Sequence, residues 1–199
     1  MMLLFALAAT SRCRAYAWDN HTFFPFPCPL VSPSPCSLVS PSPPPLPSSW
    51  DVTAAVLADV TGDGEDEWAL LVWRPWQDWP IQRWHDTPSP LADFHDAAGD
   101  SCHLILLDPR DGGEIWAGSA LPAPLLALAA GDVDGDGVNE VVTLEGSYAT
   151  GRGGLATHID VWRWNGFGFT LVWRSPAGSF SRLGLTDVNG DSILDIVAR

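Results

Sequence analysis

A nine-residue acidic pattern, used three times, constrains this chain more than any other feature. Its fullest copy lies in GDVDGDGVNEVV, Gly131 to Val142, where Asp132, Asp134, Asp136 and Glu140 fall within nine residues and Gly135 and Gly137 separate them. A first copy, DVTGDGEDE, runs from Asp59 to Glu67, and a third, DVNGDSILD, from Asp187 to Asp195. Carboxylates this close repel one another in a folded chain unless a cation neutralises them. Acids at odd positions, with glycine at the tight points, suit a hard, oxygen-seeking cation such as Ca²⁺. A recurring loop also implies a recurring structural unit, which sets the architecture before local propensity does.

The flanks of each copy are short apolar runs. Ala54–Ala58 enters loop one and Trp68–Trp73 leaves it; Leu125–Ala130 and Glu140–Glu145 flank loop two; Phe180–Leu185 and Asp195–Arg199 flank loop three. None has a helical period, and the exits from loops two and three are rich in β-branched residues, so strands are expected. Between loops, His103–Asp108 reads as a buried strand, and the turn Pro109–Gly113 leads into a partner strand, Glu114–Gly118. Thr157–Trp164 and Phe167–Arg174 flank Asn165-Gly166, a strong hairpin signal. The unit is therefore a four-stranded antiparallel meander. Loops start at Asp59, Asp132 and Asp187, intervals of 73 and 55 residues, and a Trp-rich excursion from Arg74 to Ser101 accounts for the longer one. Four-stranded repeats of this length are blades of a β-propeller, so the expected fold is all-β: a partial propeller of about two and a half blades.

An EF-hand shares the opening of these loops but needs a glutamate at position 12 and flanking helices. Position 12 here is Leu70, Thr143 and Ala198, and the last acid stands at position 9 each time. The pattern D-x-[DNT]-G-D-x-x-x-[DE], followed by an apolar strand, resembles the FG-GAP or VCBS repeat family, which includes the calcium-binding blades of integrin α-subunits. The resemblance covers roughly Thr53 to Arg199 and fits the VCBS-like branch better, because no Gly-Ala-Pro follows any loop. It implies up to three Ca²⁺ ions, each held by side chains at positions 1, 3, 5 and 9 and a carbonyl at position 7. In loop one these are Asp59, Thr61, Asp63, Glu67 and the Glu65 carbonyl; in loop two Asp132, Asp134, Asp136, Glu140 and the Val138 carbonyl; in loop three Asp187, Asn189, Asp191, Asp195 and the Ile193 carbonyl. Position 3 changes from Asp134 to Asn189 to Thr61, so loop two is expected to bind most tightly.

Composition supports this focus on the loops. The formal net charge is −14, and the three loops hold 12 of the 24 acids. All ten basic residues are arginine, and they form no basic stripe, which argues against nucleic acid as a partner. No apolar run reaches the roughly 18 residues of a membrane span. Residues 1–17 resemble a secretory signal, with an apolar start and a small-x-small site at Ala15-Tyr16-Ala17. Residues 18–49 read as a Pro/Ser-rich disordered linker whose prolines from Thr22 onward bar it from sheet or helix. On a second reading, residues 1 to about 48 come from a start site set too early and carry no function. Residues 50–199 form the propeller unit. Cys28 and Cys36 are close enough in sequence to pair in an oxidising compartment, and Cys102 reads as a small core residue.

The expected function is a secreted or cell-surface calcium-binding scaffold with an adhesion or ligand-binding role. The alternative is a non-catalytic accessory propeller of a secreted hydrolase or polysaccharide lyase. Trp76, Trp79 and Trp84, with Arg74 and Arg83, have the composition of a protein- or carbohydrate-binding surface, or of a cap on the open edge of blade one. His85-Asp86, His95-Asp96 and the nearby His103 could be drawn as a zinc or general-base site, but adjacent His-Asp pairs on a loop usually mean polar surface, so no enzyme activity is assigned. Propellers close with four or more blades, so further blades or self-association are expected to complete the ring.

Overall fold

Each apolar run that flanks an acidic loop forms a strand. The structure, a computed structural model, describes residues 14–19, 22–25, 46–76 and 92–199. Its described elements are strands alone: β1 Arg14–Asp19, β2 Thr22–Pro25, β3 Asp51–Ala58, β4 Glu67–Pro75, β5 Asp100–Leu107, β6 Glu114–Ala117, β7 Leu125–Gly131, β8 Glu140–Glu145, β9 His158–Trp164, β10 Phe169–Arg174, β11 Leu183–Thr186 and β12 Asp195–Ala198. All pairings are antiparallel and make three sheets, ordered β2-β1-β3-β4-β5-β6, β10-β9-β8-β7 and β11-β12. Loop one joins β3 to β4, loop two β7 to β8, and loop three β11 to β12. No described helix is long and apolar enough to cross a membrane.

The sheets lie side by side, with β3 against β7 and β7 against β11. That arrangement explains the apolar run of β8, because a strand with a sheet on each face has little use for a polar side. In β4, Ala69, Leu71 and Trp73 face sheet two, where they meet Leu125, Ala130 and Val141. Trp68, Leu70 and Val72 face the other way and pack with Val52, Leu57, Ile105 and Leu107. In β8, Val141 joins the first core, while Val142 and Leu144 pack against Leu183, Leu185, Ile196 and Ala198 of sheet three. The one polar residue between them, Thr143, is fully buried and accepts a hydrogen bond from Trp162 Nε1 at 2.9 Å. Trp116, Trp164 and Phe169 form an edge-to-face cluster, with centroids 5.4–6.0 Å apart, that joins β6 to the β9–β10 hairpin.

Two details depart from expectation. Sheet one has six strands rather than four, because the β1–β2 hairpin occupies the edge of β3 that a four-stranded meander leaves free. Thr22–Pro25 therefore joins a sheet although it lies in the Pro/Ser-rich segment. Pro25 is the last residue of an edge strand, a place where sheets tolerate proline. Residues 26–45, with Cys28 and Cys36, lie outside the described residues, as does Cys13. Cys102 is buried in the first core, and burial pushes its thiol up to about 12.

The two-faced core predicts unequal costs. Leu71→Ala is expected to lower stability by about 2–5 kcal/mol. Val172→Ala, on the exposed outer strand β10, is expected to cost less than about 1 kcal/mol. Urea denaturation of both variants checks this, and equal losses would contradict it.

Candidate cation-binding loops

Backbone N–H groups close each loop onto its own carboxylates, in the same way three times. The position 1 carboxylate accepts from the N–H of positions 4 and 6: Asp59 from Gly62 and Gly64 (2.7 and 2.8 Å), Asp132 from Gly135 and Gly137 (2.7 and 2.9 Å), and Asp187 from Gly190 and Ser192 (2.6 and 2.9 Å). The position 5 carboxylate accepts from the position 7 N–H at 2.9 Å in every loop: Asp63 from Glu65, Asp136 from Val138, and Asp191 from Ile193. The position 9 carboxylate reaches back to the position 2 N–H: Glu67 to Val60 at 3.0 Å, Glu140 to Val133 at 3.1 Å, and Asp195 to Val188 at 2.9 Å. Positions 4 and 6 take positive φ throughout, which is why glycine recurs there. Ser192 holds the position 6 conformation at φ 70° without being glycine.

Successive loops are also joined. Position 8 of each later loop bonds to the position 1 carbonyl of the loop before it. Asn139 Nδ2 donates to the Asp59 carbonyl at 2.8 Å, and the Leu194 N–H donates to the Asp132 carbonyl at 3.3 Å. The position 7 side chain covers the neighbour's position 4 glycine: Val138 lies beside Gly62, and Ile193 beside Gly135, where a Cβ would come within 2.8 Å of it. The three loops thus form one row. In loop one the same two positions are Glu65 and Asp66, both exposed.

The carboxylates differ in setting. Glu67 and Glu140 are buried, and burial raises the pKa of each above the usual carboxylate range, against the hydrogen bonds that lower it. Asp187 is exposed, and the Gly190 and Ser192 N–H groups hold its pKa down. Among the described residues two groups bring ligand atoms within 4.8 Å of one another: Asp59, Asp63 and Glu67 in loop one, and Asp132, Asp134 and Asp136 in loop two. The acids of loop three do not form such a group, and Asn189 Nδ2 instead donates to Asp191 at 3.0 Å. In loop one Thr61 donates its hydroxyl to Glu67 at 3.1 Å. Its donors are all oxygens, two carboxylates are partly or fully open to solvent, and a carboxylate accepts more bonds than the backbone supplies, so loop one fits a hard divalent cation. A recess of about 260 Å³ opens beside it, lined by Asp63, Glu65, Asp66, Glu67 and Asp108.

The expected loop chemistry includes no arginine, yet two arginines sort the loops. Arg163 of β9 donates to Asp134 Oδ2 at 2.5 Å, lies 3.1 Å from Asp136 Oδ2, and donates to Glu140 through Nε at 2.9 Å and through Nη2. Arg110 beside loop one grips Asp108 at 2.7 Å and Glu65 at 2.9 Å. The signal for Arg163 was its place opposite Glu140 in the β8–β9 ladder, where Val141 pairs with Trp162.

Of the three histidines singled out in the sequence, His95 and His103 are among the described residues. His103 is buried and donates from Nδ1 to the Gly118 carbonyl at 3.0 Å, while the Ser101 hydroxyl donates to Nε2 at 2.8 Å. Burial lowers its pKa to about 4, so it is neutral. Ser101 has no exposed surface. A cleft of about 640 Å³ opens beside His103 and is lined by Trp50, Arg74, Glu114 and Ser119. Asp96 caps a turn, accepting from the Ala98 and Asp100 N–H groups at 2.9 and 3.0 Å, and the His95 ring lies 6.1 Å from that of Trp76. Trp76 is half-buried; Trp79, Arg83, Trp84, His85 and Asp86 lie outside the described residues.

Compared with known proteins, the chain matches no family model, no curated protein and no solved structure.

Two outcomes follow from this geometry. Ser192→Gly is expected to raise stability by about 0.5–1 kcal/mol and Gly137→Ser to lower it by about 1 kcal/mol, both read by urea denaturation. His103 has its folded pKa below its unfolded value of 6.5, so the stability it contributes is present above pH 6.5 and is lost as pH falls toward about 4. The drop in Tm between pH 7 and pH 4.5 is therefore expected to be smaller in His103→Gln than in the wild type, and equal drops would contradict this.

Proposed function

We propose that this chain is a calcium-binding repeat module of β-propeller type, of the FG-GAP/VCBS kind, and that it serves as a structural scaffold in a secreted or cell-surface protein. The observation that carries this reading is the repetition of one loop geometry three times, at the same strand-to-strand turn, in a single bonded row. Solvated acidic turns need not share hydrogen bonds at positions 1, 5 and 9, nor link position 8 of one loop to position 1 of the last. The all-oxygen group of Asp59, Asp63 and Glu67, with an acid-lined recess beside it, supports a hard cation as the ligand.

The ion's role on this reading is structural. Each loop ties two neighbouring strands at the end of a sheet, and the row ties each sheet to the next. A cation neutralises carboxylates that otherwise repel, so its binding energy adds to folding energy. Exposed, open sites of this kind suit the millimolar calcium found outside cells. A protein or carbohydrate ligand would be carried by surfaces away from the loops, and the cleft beside Trp50 and Arg74 supports such a role.

The test is thermal unfolding with and without calcium. Saturating calcium, at about 100 times Kd, is expected to add about 2.7 kcal/mol per site, and excess chelator to remove it. Asp63→Asn is expected to reduce the shift. An unchanged melt in chelator and in calcium would sink the proposal.

A further inference from the structure

We propose that Arg163 is the resident counter-cation of loop two, so that a divalent cation binds there only by displacing it, and binds more readily at loop one. The proposal rests on the calcium-binding function proposed above, and it reverses the order of loops that position 3 suggests.

Arg163 reaches loop two from the neighbouring strand, β9. Its guanidinium meets Asp134, Asp136 and Glu140, three of the four side chains that the repeat pattern offers to a metal. Glu140 is nearly inaccessible, and a carboxylate in that position needs a partner. Arginine supplies one permanently, with five donors in a planar fork that matches carboxylate oxygens. Loop two thereby holds one positive charge of its own against three of its four carboxylates. A divalent ion approaching the same oxygens meets that positive charge, which repels it and has to be displaced first. Sheet two uses the same device elsewhere. Arg174 of β10 meets the fully buried Asp160 at 2.8 Å and also bonds Glu145.

Loop one is built the other way. The β4–β5 ladder pairs Trp68 with Leu107, as the β8–β9 ladder pairs Val141 with Trp162. One residue further along each ladder, Asp108 occupies in sheet one the place that Arg163 occupies in sheet two. An acid therefore replaces the guanidinium. Arg110 is turned to Asp108 and Glu65, and among the described residues no arginine contacts Asp59, Asp63 or Glu67. Five carboxylates line the adjoining recess together with Arg110, which pairs with Glu65 and Asp108 and leaves Asp63, Asp66 and Glu67 without a guanidinium. Loop one needs a cation from solution, whereas loop two carries its own.

Calcium titration by calorimetry on the full chain tests this. The proteins are the wild type, Arg163→Gln, Asp59→Asn and the double variant. Asp59→Asn is expected to remove the tightest site. Arg163→Gln is expected to tighten the site that survives in the Asp59→Asn background by about tenfold or more. Unchanged or weaker binding there, with calcium still bound by the wild type, overturns the proposal and leaves the calcium-binding function standing. No calcium uptake by any of the four proteins overturns both. If Arg163→Gln does not fold, the reciprocal variant decides: Asp108→Arg places a guanidinium beside loop one and is expected to weaken its affinity by about tenfold, and an unaltered affinity overturns the proposal.

Discussion

Mutual repulsion among carboxylates at the strand turns is the constraint on which the rest of this structure depends. Four acids or near-acids within nine residues have to be neutralised before two strands can meet at such a turn. The chain does this first with its own backbone. Asp59, Asp132 and Asp187 each draw in two N–H groups, and the positive φ angles at positions 4 and 6 aim those groups inward. The remaining charge is met differently in each loop: by a threonine hydroxyl and an open, acid-lined recess in loop one, by Arg163 in loop two, and by an asparagine amide in loop three. One loop geometry thus serves three electrostatic settings.

The same loops align the sheets. Because position 8 of each later loop bonds to position 1 of the one before, the turn that closes a strand pair also fixes the neighbouring pair. Val138 and Ile193 cover the position 4 glycines of their neighbours, so a glycine required for its φ is also the place where the next loop can approach. Loop one, with Glu65 and Asp66 at these positions, is suited to water or a cation rather than to another loop. Chemistry at the loops is therefore mechanically linked to the packing of β3 on β7 and β7 on β11.

Much of this was legible in the sequence. The ten strands from β3 to β12, their antiparallel pairing within each sheet and the loops that join them follow from apolar runs bounded by acidic turns. Period and punctuation are local signals, and here they agree. The β1–β2 hairpin was not legible, because proline density argues against strands and an edge strand tolerates what a central one does not. Glu140 and Asp195 were placed correctly at the strand starts, Glu67 one residue before its strand, and the burial of Glu67 and Glu140 was not foreseen. Arg163 was missed for a different reason. Its partner lies 23 residues away in sequence, and only the strand register brings the two together. Ranking the loops by position 3 counted ligand charges and omitted the cation that the fold itself supplies.

On the proposed function, these loops hold a hard divalent cation, with loop one as the leading site. Crystals grown with terbium, an oxygen-seeking stand-in for calcium, test it most directly through anomalous scattering. A strong anomalous peak is expected within about 2.6 Å of carboxylate oxygens from Asp59, Asp63 and Glu67. A map with no peak at loop one, or with peaks only at isolated surface acids such as Asp111, would contradict it.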